Sequence, residues 1–301
     1  MMRSIDGSAD RFLGSLRVIN ARLERAERRV ASGKRLTTAS DDPDAVARLL
    51  QTRTDVSRME QTQTNLGRLK TEADGAESAL QTAVKLFDRV RTLGMTGASG
   101  IHTALTRKGI ADEIGSIMER LAGLANTQVD GRFIFSGDSD QGAAFDFDLA
   151  QNPPWSAYLG APATREAMHP TGVTFPVAMT AGEILTSAQP GLDVFQAAEN
   201  LRQALLANDE AGMKAALEPL AGVSAHLNSA LTFYGNVQSQ LEEATDTTAK
   251  LKTRLTTEKA QLEDADIAEE IVELQRMKFN QQAALEVRSK LPQTSLFDYL
   301  G

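Results

Sequence analysis

An apolar stripe with the spacing of a coiled coil runs along each end of this 301-residue chain. A helix that carries one narrow apolar face cannot bury that face by itself. The sequence therefore predicts that the two ends pair with each other and with neighbouring molecules. The predicted seam consists of Ile5, Phe12, Leu16, Ile19, Leu23 and Val30 at one end and Leu255, Leu262, Ile267, Ile271, Leu274 and Leu285 at the other.

The charges of the two ends have opposite signs. Residues 1–36 contain nine Lys and Arg against four Asp and Glu, whereas residues 258–301 contain five against nine. Opposite charges favour pairing of the two ends and disfavour self-pairing of either one. The acidic stretch 263–270 also suits a solvated helix face, but we predict it as a partner of the basic N-terminal arm. The net charge of −8 argues against a general nucleic-acid binder.

The middle of the chain differs from its flanks. Six of nine prolines lie between Pro153 and Pro190, and seven of fifteen aromatic residues lie between Phe133 and Phe175. This composition predicts turns and short strands, among them strands at 132–138 and 145–148. The predicted fold class is therefore mainly α, a long antiparallel helical coiled-coil bundle formed by both termini with a small β-rich middle domain. The predicted segments are 1–40, 41–130, 131–190, 191–262 and 263–301.

Glycine, aspartate and proline residues predict where the helices begin and end. Gly33 suits the end of the first helix, and Asp42 and Pro43 suit the start of a second helix that continues to about Leu93. Further helices are predicted at about 104–128, at about 193–207 and from about Asp209. Pro219 should interrupt or kink the last of these.

No group of residues has the spacing of a catalytic or metal site. The chain lacks cysteine, and His102, His169 and His226 lie in separate segments. The acidic residues of 138–148 suit a solvated turn and a strand face better than a calcium loop. Asp41 and Asp42 offer either a carboxylate pair or a helix cap, and the cap also explains the proline that follows. We expect no catalytic residue, no metal and no cofactor.

The N-terminus lacks the apolar run of a secretory signal, and no segment approaches the ~20 apolar residues of a membrane helix. These features suit a cytoplasmic protein or one exported without a cleaved signal. Ordering a residue costs about 1–2 kcal/mol in conformational entropy. Burial of one apolar seam barely offsets this cost for each arm. We therefore hypothesise that both termini become ordered only on assembly.

Several segments resemble the flagellin superfamily. They are INARL at 19–23, VASGKRL at 30–36, ASDDP at 39–43 and ANTQVDGRFIFSG at 125–137. The ending SLFDYL at 295–300 resembles the flagellin-like hook-associated proteins of the hook–filament junction. This resemblance covers about residues 1–140 and 190–301, and the middle segment shows none.

The resemblance implies a structural role in an extracellular bacterial flagellum. It implies that 1–40 and 263–301 form the inner helical tube, that 41–130 and 191–262 form the helical bundle, and that 131–190 projects outward. It also implies type III export without a cleaved signal, self-assembly, and contacts with other hook-associated proteins, flagellin and an export chaperone, but neither nucleic-acid binding nor membrane insertion. The apolar end either docks on its own domain or contacts a subunit or chaperone. The second role is favoured, through Leu296, Phe297, Tyr299 and Leu300.

Two other functions stay open at this point. The chain could be flagellin itself, the main filament subunit. A secreted lytic enzyme carried on the appendage would instead need converging titratable groups in the middle segment, and the sequence shows none there.

Overall fold

A computed structural model describes residues 3–187 and 189–290 of the chain, and the side chains of 10–187 and 189–289. Helices dominate it, as the sequence predicts. The helices are α1 (Arg3–Ser32), α2 (Pro43–Gly97), α3 (Ala104–Ala125), α4 (Ala181–Leu185), α5 (Val194–Leu206), α6 (Glu210–Leu217), α7 (Leu220–Glu263) and α8 (Ile267–Lys290). The strands are β1 (Gln128–Val129), β2 (Arg132–Phe133), β3 (Glu166–Met168) and β4 (Thr174–Pro176).

The chain forms two compact units. Unit 1 comprises residues 1–60 and 251–301, and unit 2 comprises residues 61–250. The boundary falls within α2 and within α7, so each of these helices contributes one portion to each unit.

Unit 2 contains a continuous apolar core between its helices. The largest fully buried side chains include Phe87 of α2, Ile114 of α3, Phe195 of α5 and Tyr234 of α7. Complete burial of such a side chain contributes about 1.5–3 kcal/mol. Burial among its own helices therefore contributes to the stability of unit 2.

The predicted helix starts are confirmed. Pro43 opens α2, and the Asp42 carboxylate accepts a hydrogen bond from the Ala45 amide at 3.0 Å. The carboxylates of Asp193 and Asp209 likewise accept from Gln196 at 2.7 Å and Ala211 at 3.1 Å, so that they cap α5 and α6. Pro219 lies between α6 and α7 and interrupts the helical path, as expected.

Two predicted helix ends are displaced. α2 continues past Leu93 to Gly97, because the buried Arg107 guanidinium donates to the Gly97 carbonyl oxygen at 3.0 Å and satisfies it. α3 ends at Ala125 rather than near Gln128. There the Asn126 side chain accepts hydrogen bonds from the amides of Ala144 (2.7 Å) and Phe145 (3.1 Å) and draws the middle segment against the helix end.

The strands of the middle segment are shorter than the sequence predicts. The predicted strand 132–138 is confirmed only at Arg132–Phe133, which pairs with β1 through a turn at Asp130 (φ 51°) and Gly131 (φ 76°). Both turn residues adopt the left-handed backbone that such two-residue hairpins require. The strand predicted at 145–148 is wrong, because these residues form only one isolated bridge, between Phe147 and Trp155.

Aromatic packing explains that difference. Phe145 and Trp155 contact the ring of Phe195 on α5, with centroid separations of 5.5 and 5.6 Å. Rings that anchor in a helix surface fix the backbone by side-chain contacts, so that no ladder of strand hydrogen bonds is needed. An ion pair at 2.8 Å between Arg165 and Glu72 adds a second attachment of the middle segment to α2.

Unit 1 contains the two terminal helices and the portions of α2 and α7 next to them. Leu36, Ala45 and Leu49 form a small buried cluster, and Leu262 packs against it. We refer to residues 43–60 of α2 and 251–263 of α7 as the stem, and to α1 and α8 as the arm pair.

Candidate assembly surface

The two arms pair in antiparallel orientation. The Arg29 guanidinium donates to the Glu270 carboxylate at 2.9 Å, and Gln281 donates to the Asn20 side chain at 2.8 Å. Farther along, the Arg288 guanidinium lies 5.7 Å from the centre of the Phe12 ring. Contact positions fall along α1 as they rise along α8, which defines the antiparallel orientation. The predicted pairing of the two ends is confirmed.

The seam predicted on α1 faces partly inward. Phe12, Leu16, Ile19, Leu23 and Val30 are all half-buried, and Ala26 is buried between them. Leu255 and Leu262 of the stem are half-buried as well. A single partner helix covers only part of each side chain, so the seam retains exposed apolar surface.

The seam predicted on α8 is more exposed in the single chain than the seam on α1, and its role in assembly stays a prediction. Leu274 is half-buried and Met277 is buried, whereas Ile267 (40% exposed), Ile271 (40%) and Leu285 (50%) are exposed. The chain leaves helical conformation at 264–266 before α8 begins, which agrees with the shift in phase of the apolar spacing between Leu262 and Ile267. Met277 is the contact residue that the sequence pattern missed.

Other apolar side chains of the arm pair point to solvent. They are Leu13 (47% exposed), Val18 (53%), Val272 (65%), Phe279 (69%) and Val287 (62%). Val272 and Phe279 are seven residues apart, so they lie on one face of α8. This spacing is visible in the sequence and could have indicated a second apolar face. A concentration of exposed large apolar residues typically marks an interaction surface.

Five predicted contact residues have side chains outside the described part of the structure. They are Ile5, Leu296, Phe297, Tyr299 and Leu300. Their roles in assembly stay predictions.

Residues 33–42 form the linker that connects α1 to the stem. α1 ends at Ser32, and Gly33 (φ 68°) donates its amide to the Arg29 carbonyl at 2.8 Å, as the predicted helix end requires. Farther along, the Asp41 carboxylate accepts hydrogen bonds from the amides of Thr38 (2.8 Å) and Thr37 (3.0 Å). The Thr38 bond contributes most to lowering the pKa of Asp41 to about 2, and the Thr37 bonds add to it against the effect of burial.

The cap interpretation is therefore confirmed for Asp42, which accepts from the Ala45 amide in the first turn of α2, whereas Asp41 accepts from amides of the loop that precedes it. Elsewhere, His226 contacts the Glu183 carbonyl oxygen at 2.9 Å and His169 contacts Thr171 at 2.7 Å. Within 3–187 and 189–290, no cluster of three or more His, Asp or Glu has the geometry to hold a metal. None of the described helices combines the length and apolarity that crossing a bilayer requires.

Comparison with protein families identifies the flanks of the chain. Residues 7–140 match the bacterial flagellin N-terminal helical region, and residues 221–300 match the bacterial flagellin C-terminal helical region. The chain belongs to the flagellin family. The two matches cover more than two thirds of the residues and confirm the resemblance predicted from the sequence motifs. Flagellar proteins of this family are structural components.

Individual relatives agree with this assignment. A flagellin of Clostridium tyrobutyricum is 25% identical over 119 residues, which are 40% of this chain but only about a third (32%) of that flagellin's length. Among solved structures, a putative flagellar hook-associated protein of Vibrio parahaemolyticus is 25% identical with a TM-score of 0.65, and the match covers 74% of this chain and 100% of that one. The flagellar junction protein FlgL of Legionella pneumophila shares the fold at 13% identity and a TM-score of 0.50, with 67% and 99% covered.

Proposed function

We propose that this chain is a structural component of the bacterial flagellum and joins the hook to the filament by helical assembly of its terminal helices. The observation that carries the proposal is the arm pair, whose seam is only half-buried and whose outer face exposes Val272 and Phe279. The solved relatives point the same way. One is named a hook-associated protein and another a flagellar junction protein.

Burial of the exposed faces supplies the driving force for this assembly. Each large apolar side chain that moves from water into a contact contributes about 1.5–3 kcal/mol. Every subunit carries the same faces, so the gain repeats with each subunit added. In this proposal residues 1–40 and 263–301 build the inner tube, residues 41–130 and 191–262 build the helical bundle, and residues 131–190 project outward.

The partners follow from this role. The chain assembles with copies of itself, with other hook-associated proteins and with flagellin. An export chaperone holds the C-terminal segment beforehand, through Leu296, Phe297, Tyr299 and Leu300, and the chain leaves the cell by type III export without a cleaved signal. Its place of action is the extracellular flagellum, and its role is structural rather than catalytic.

Electron microscopy of a strain that lacks this protein tests the proposal. We expect hooks without attached filaments and flagellin released into the medium, both reversed when the protein is supplied again. Filaments that remain attached in the deletion strain would contradict the junction role.

Flagellin, the main filament subunit, is the second candidate, and the identity to the Clostridium tyrobutyricum flagellin favours it. The same deletion separates the two functions. Loss of a filament subunit removes filament protein from both cells and medium, whereas loss of a junction protein leaves flagellin abundant in the medium.

A further inference from the structure

The two connections between the arm pair and the stem lie side by side in unit 1. Residues 33–42 follow α1, and residues 264–266 precede α8. The Arg35 amide donates to the Glu263 carbonyl oxygen at 2.8 Å, and the Ala265 amide donates to the Gly33 carbonyl oxygen at 3.0 Å. Two chain segments more than 200 residues apart in sequence are therefore joined where both leave helical conformation.

The Glu263 side chain lies at the centre of this joint. Only 4% of it is exposed, although it sits at the end of a helix in a unit with few buried residues. Its carboxylate accepts a hydrogen bond from the Arg53 guanidinium at 2.8 Å and forms an ion pair with the Lys34 ammonium group. One carboxylate thus connects the end of α7, the stem portion of α2 and the linker of residues 33–42 that follows α1.

The linker makes further contacts with the same helix end. The Arg35 guanidinium donates to the Leu262 carbonyl oxygen at 3.1 Å, and its other terminal nitrogen lies 3.7 Å from the Asp42 carboxylate. Arg35 and Lys34 therefore attach adjacent linker positions to α7.

The electrostatic environment keeps Glu263 charged. Burial by itself raises the pKa of this carboxyl group, but the hydrogen bonds from Lys34 and Arg53 outweigh that effect and leave the pKa below its usual value. A buried carboxylate is stable only while its cationic partners are in place. Removing its charge should therefore loosen all three segments together.

We infer that Glu263 is a positioning residue that holds the bases of both arms together and fixes them to the stem. Through this joint both arms leave the stem at one defined place and in one defined direction. The inference concerns the isolated molecule, and it rests on the proposed function only for its consequence in the flagellum. An assembly that packs arms into a tube needs each subunit to present them in the same direction.

Hydrogen exchange on the purified full-length chain tests the joint directly. Glu263→Gln keeps the shape of the side chain but removes its charge, and Glu258→Gln makes the same change at an exposed position of the same helix. In Glu263→Gln, the amides of Arg35 and Ala265 should exchange about 10- to 100-fold faster, the range expected for loss of a charge-assisted hydrogen bond. Glu258→Gln should leave both rates unchanged, and Glu263→Asp, which keeps the charge, should fall between.

Two results would overturn the inference. One is unchanged exchange of Arg35 and Ala265 in Glu263→Gln. The other is an equal acceleration of amides throughout both units, since that indicates a general loss of stability. Lys34→Met provides a milder second variant, which leaves Arg53 in place and should give a smaller acceleration confined to the joint.

Complementation of the deletion strain separates this inference from the proposed function. We expect wild-type protein and Glu258→Gln to restore filament attachment, and Glu263→Gln to give cells that shed filaments more readily. Normal attachment with Glu263→Gln would contradict the positioning role and leave the junction function intact. Failure of the wild-type protein to restore attachment would contradict the proposed function, and the positioning role in the flagellum with it.

Discussion

Unit 2 and the arm pair of unit 1 bury their apolar residues to very different extents. In unit 2, Phe87, Val90 and Ile114 have no measurable exposure. In the arm pair, the seam side chains of α1 are half-buried, Ile271 of α8 is 40% exposed, and Phe279 is 69% exposed. Unit 2 thus has a continuous buried core, although Ile101 (87%) and Leu105 (81%) are exposed, whereas the described side chains of the arm pair include only two buried apolar ones, Ala26 and Met277.

The difference shows that apolar content alone does not distinguish a stabilising core from an assembly surface. Both regions are rich in Leu, Ile, Val and Ala at helical spacing. A side chain with neighbours on all sides stabilises the isolated molecule, and one with a single neighbouring helix stabilises it only in part. Substitutions in the two regions should therefore affect different measurements.

The largest effect should come from a charge placed on the arm seam. Leu23→Asp or Ile271→Asp should leave soluble monomer but abolish assembly, because assembly would then bury an unpaired carboxylate at a cost of several kcal/mol. The cost recurs in every subunit. Filament attachment in the complemented deletion strain measures the effect. Ala21→Asp places the same charge at an exposed position of α1 and serves as control. Normal attachment with Leu23→Asp and Ile271→Asp would refute the seam assignment.

The next effect compares two identical substitutions, one in each region. Phe87→Ala removes a fully buried ring and should lower the free energy of unfolding by about 3–5 kcal/mol. Phe279→Ala removes an exposed ring and should change it by less than about 0.5 kcal/mol, while weakening assembly. Denaturant unfolding of the purified monomers measures both values. A similar loss of stability in the two variants would remove the distinction between core and assembly surface.

A moderate effect is expected at Arg107 in unit 2. This buried guanidinium donates to the Gly97 carbonyl oxygen at 3.0 Å, to the Asn208 side chain at 2.5 Å and to Glu210 at 3.1 Å. Arg107→Met leaves these acceptors without their donor and should cost about 1–3 kcal/mol in thermal or denaturant unfolding. Lys108→Met, an exposed neighbour on α3, should change stability little. Equal stability of Arg107→Met and wild type would mean that the bonds contribute nothing net.

The smallest effect is the pH dependence at Asp41. Its pKa is about 2 in the folded chain and about 3.9 in an unfolded one. A lowered folded-state pKa means that its stabilisation is complete above about pH 4 and is lost as the pH falls toward 2. Unfolding measured between pH 5 and pH 2 should show a shallower decline in Asp41→Asn than in wild type. Asp44→Asn, at an exposed position, should retain the wild-type slope.

Local signals in the sequence correctly predicted much of the fold. Gly33, Pro43, Asp193 and Pro219 act through the backbone of their own segment, so their consequences can be deduced without tertiary contacts. The pairing of the two ends also followed from apolar spacing and charge.

Features that depend on distant residues escaped prediction. The apolar spacing shows a shift in phase near 264–266, but the hydrogen bonds from Ala265 to Gly33 and from Arg35 to Glu263 join residues more than 200 apart in sequence and could not be deduced from it. The segment 145–148 alternates like a strand, but its aromatic rings pack on Phe195 of α5. In this segment a tertiary contact overrides the local pattern.

Amide exchange along α1, measured in purified monomer and again in assembled material, tests the central claim most directly. The claim is that the arm stripes are fully sheltered only among neighbouring subunits. It predicts fast exchange across residues 5–30 in dilute monomer and strong protection after assembly, with unit 2 protected in both states. Slow exchange across residues 5–30 in dilute monomer would contradict it.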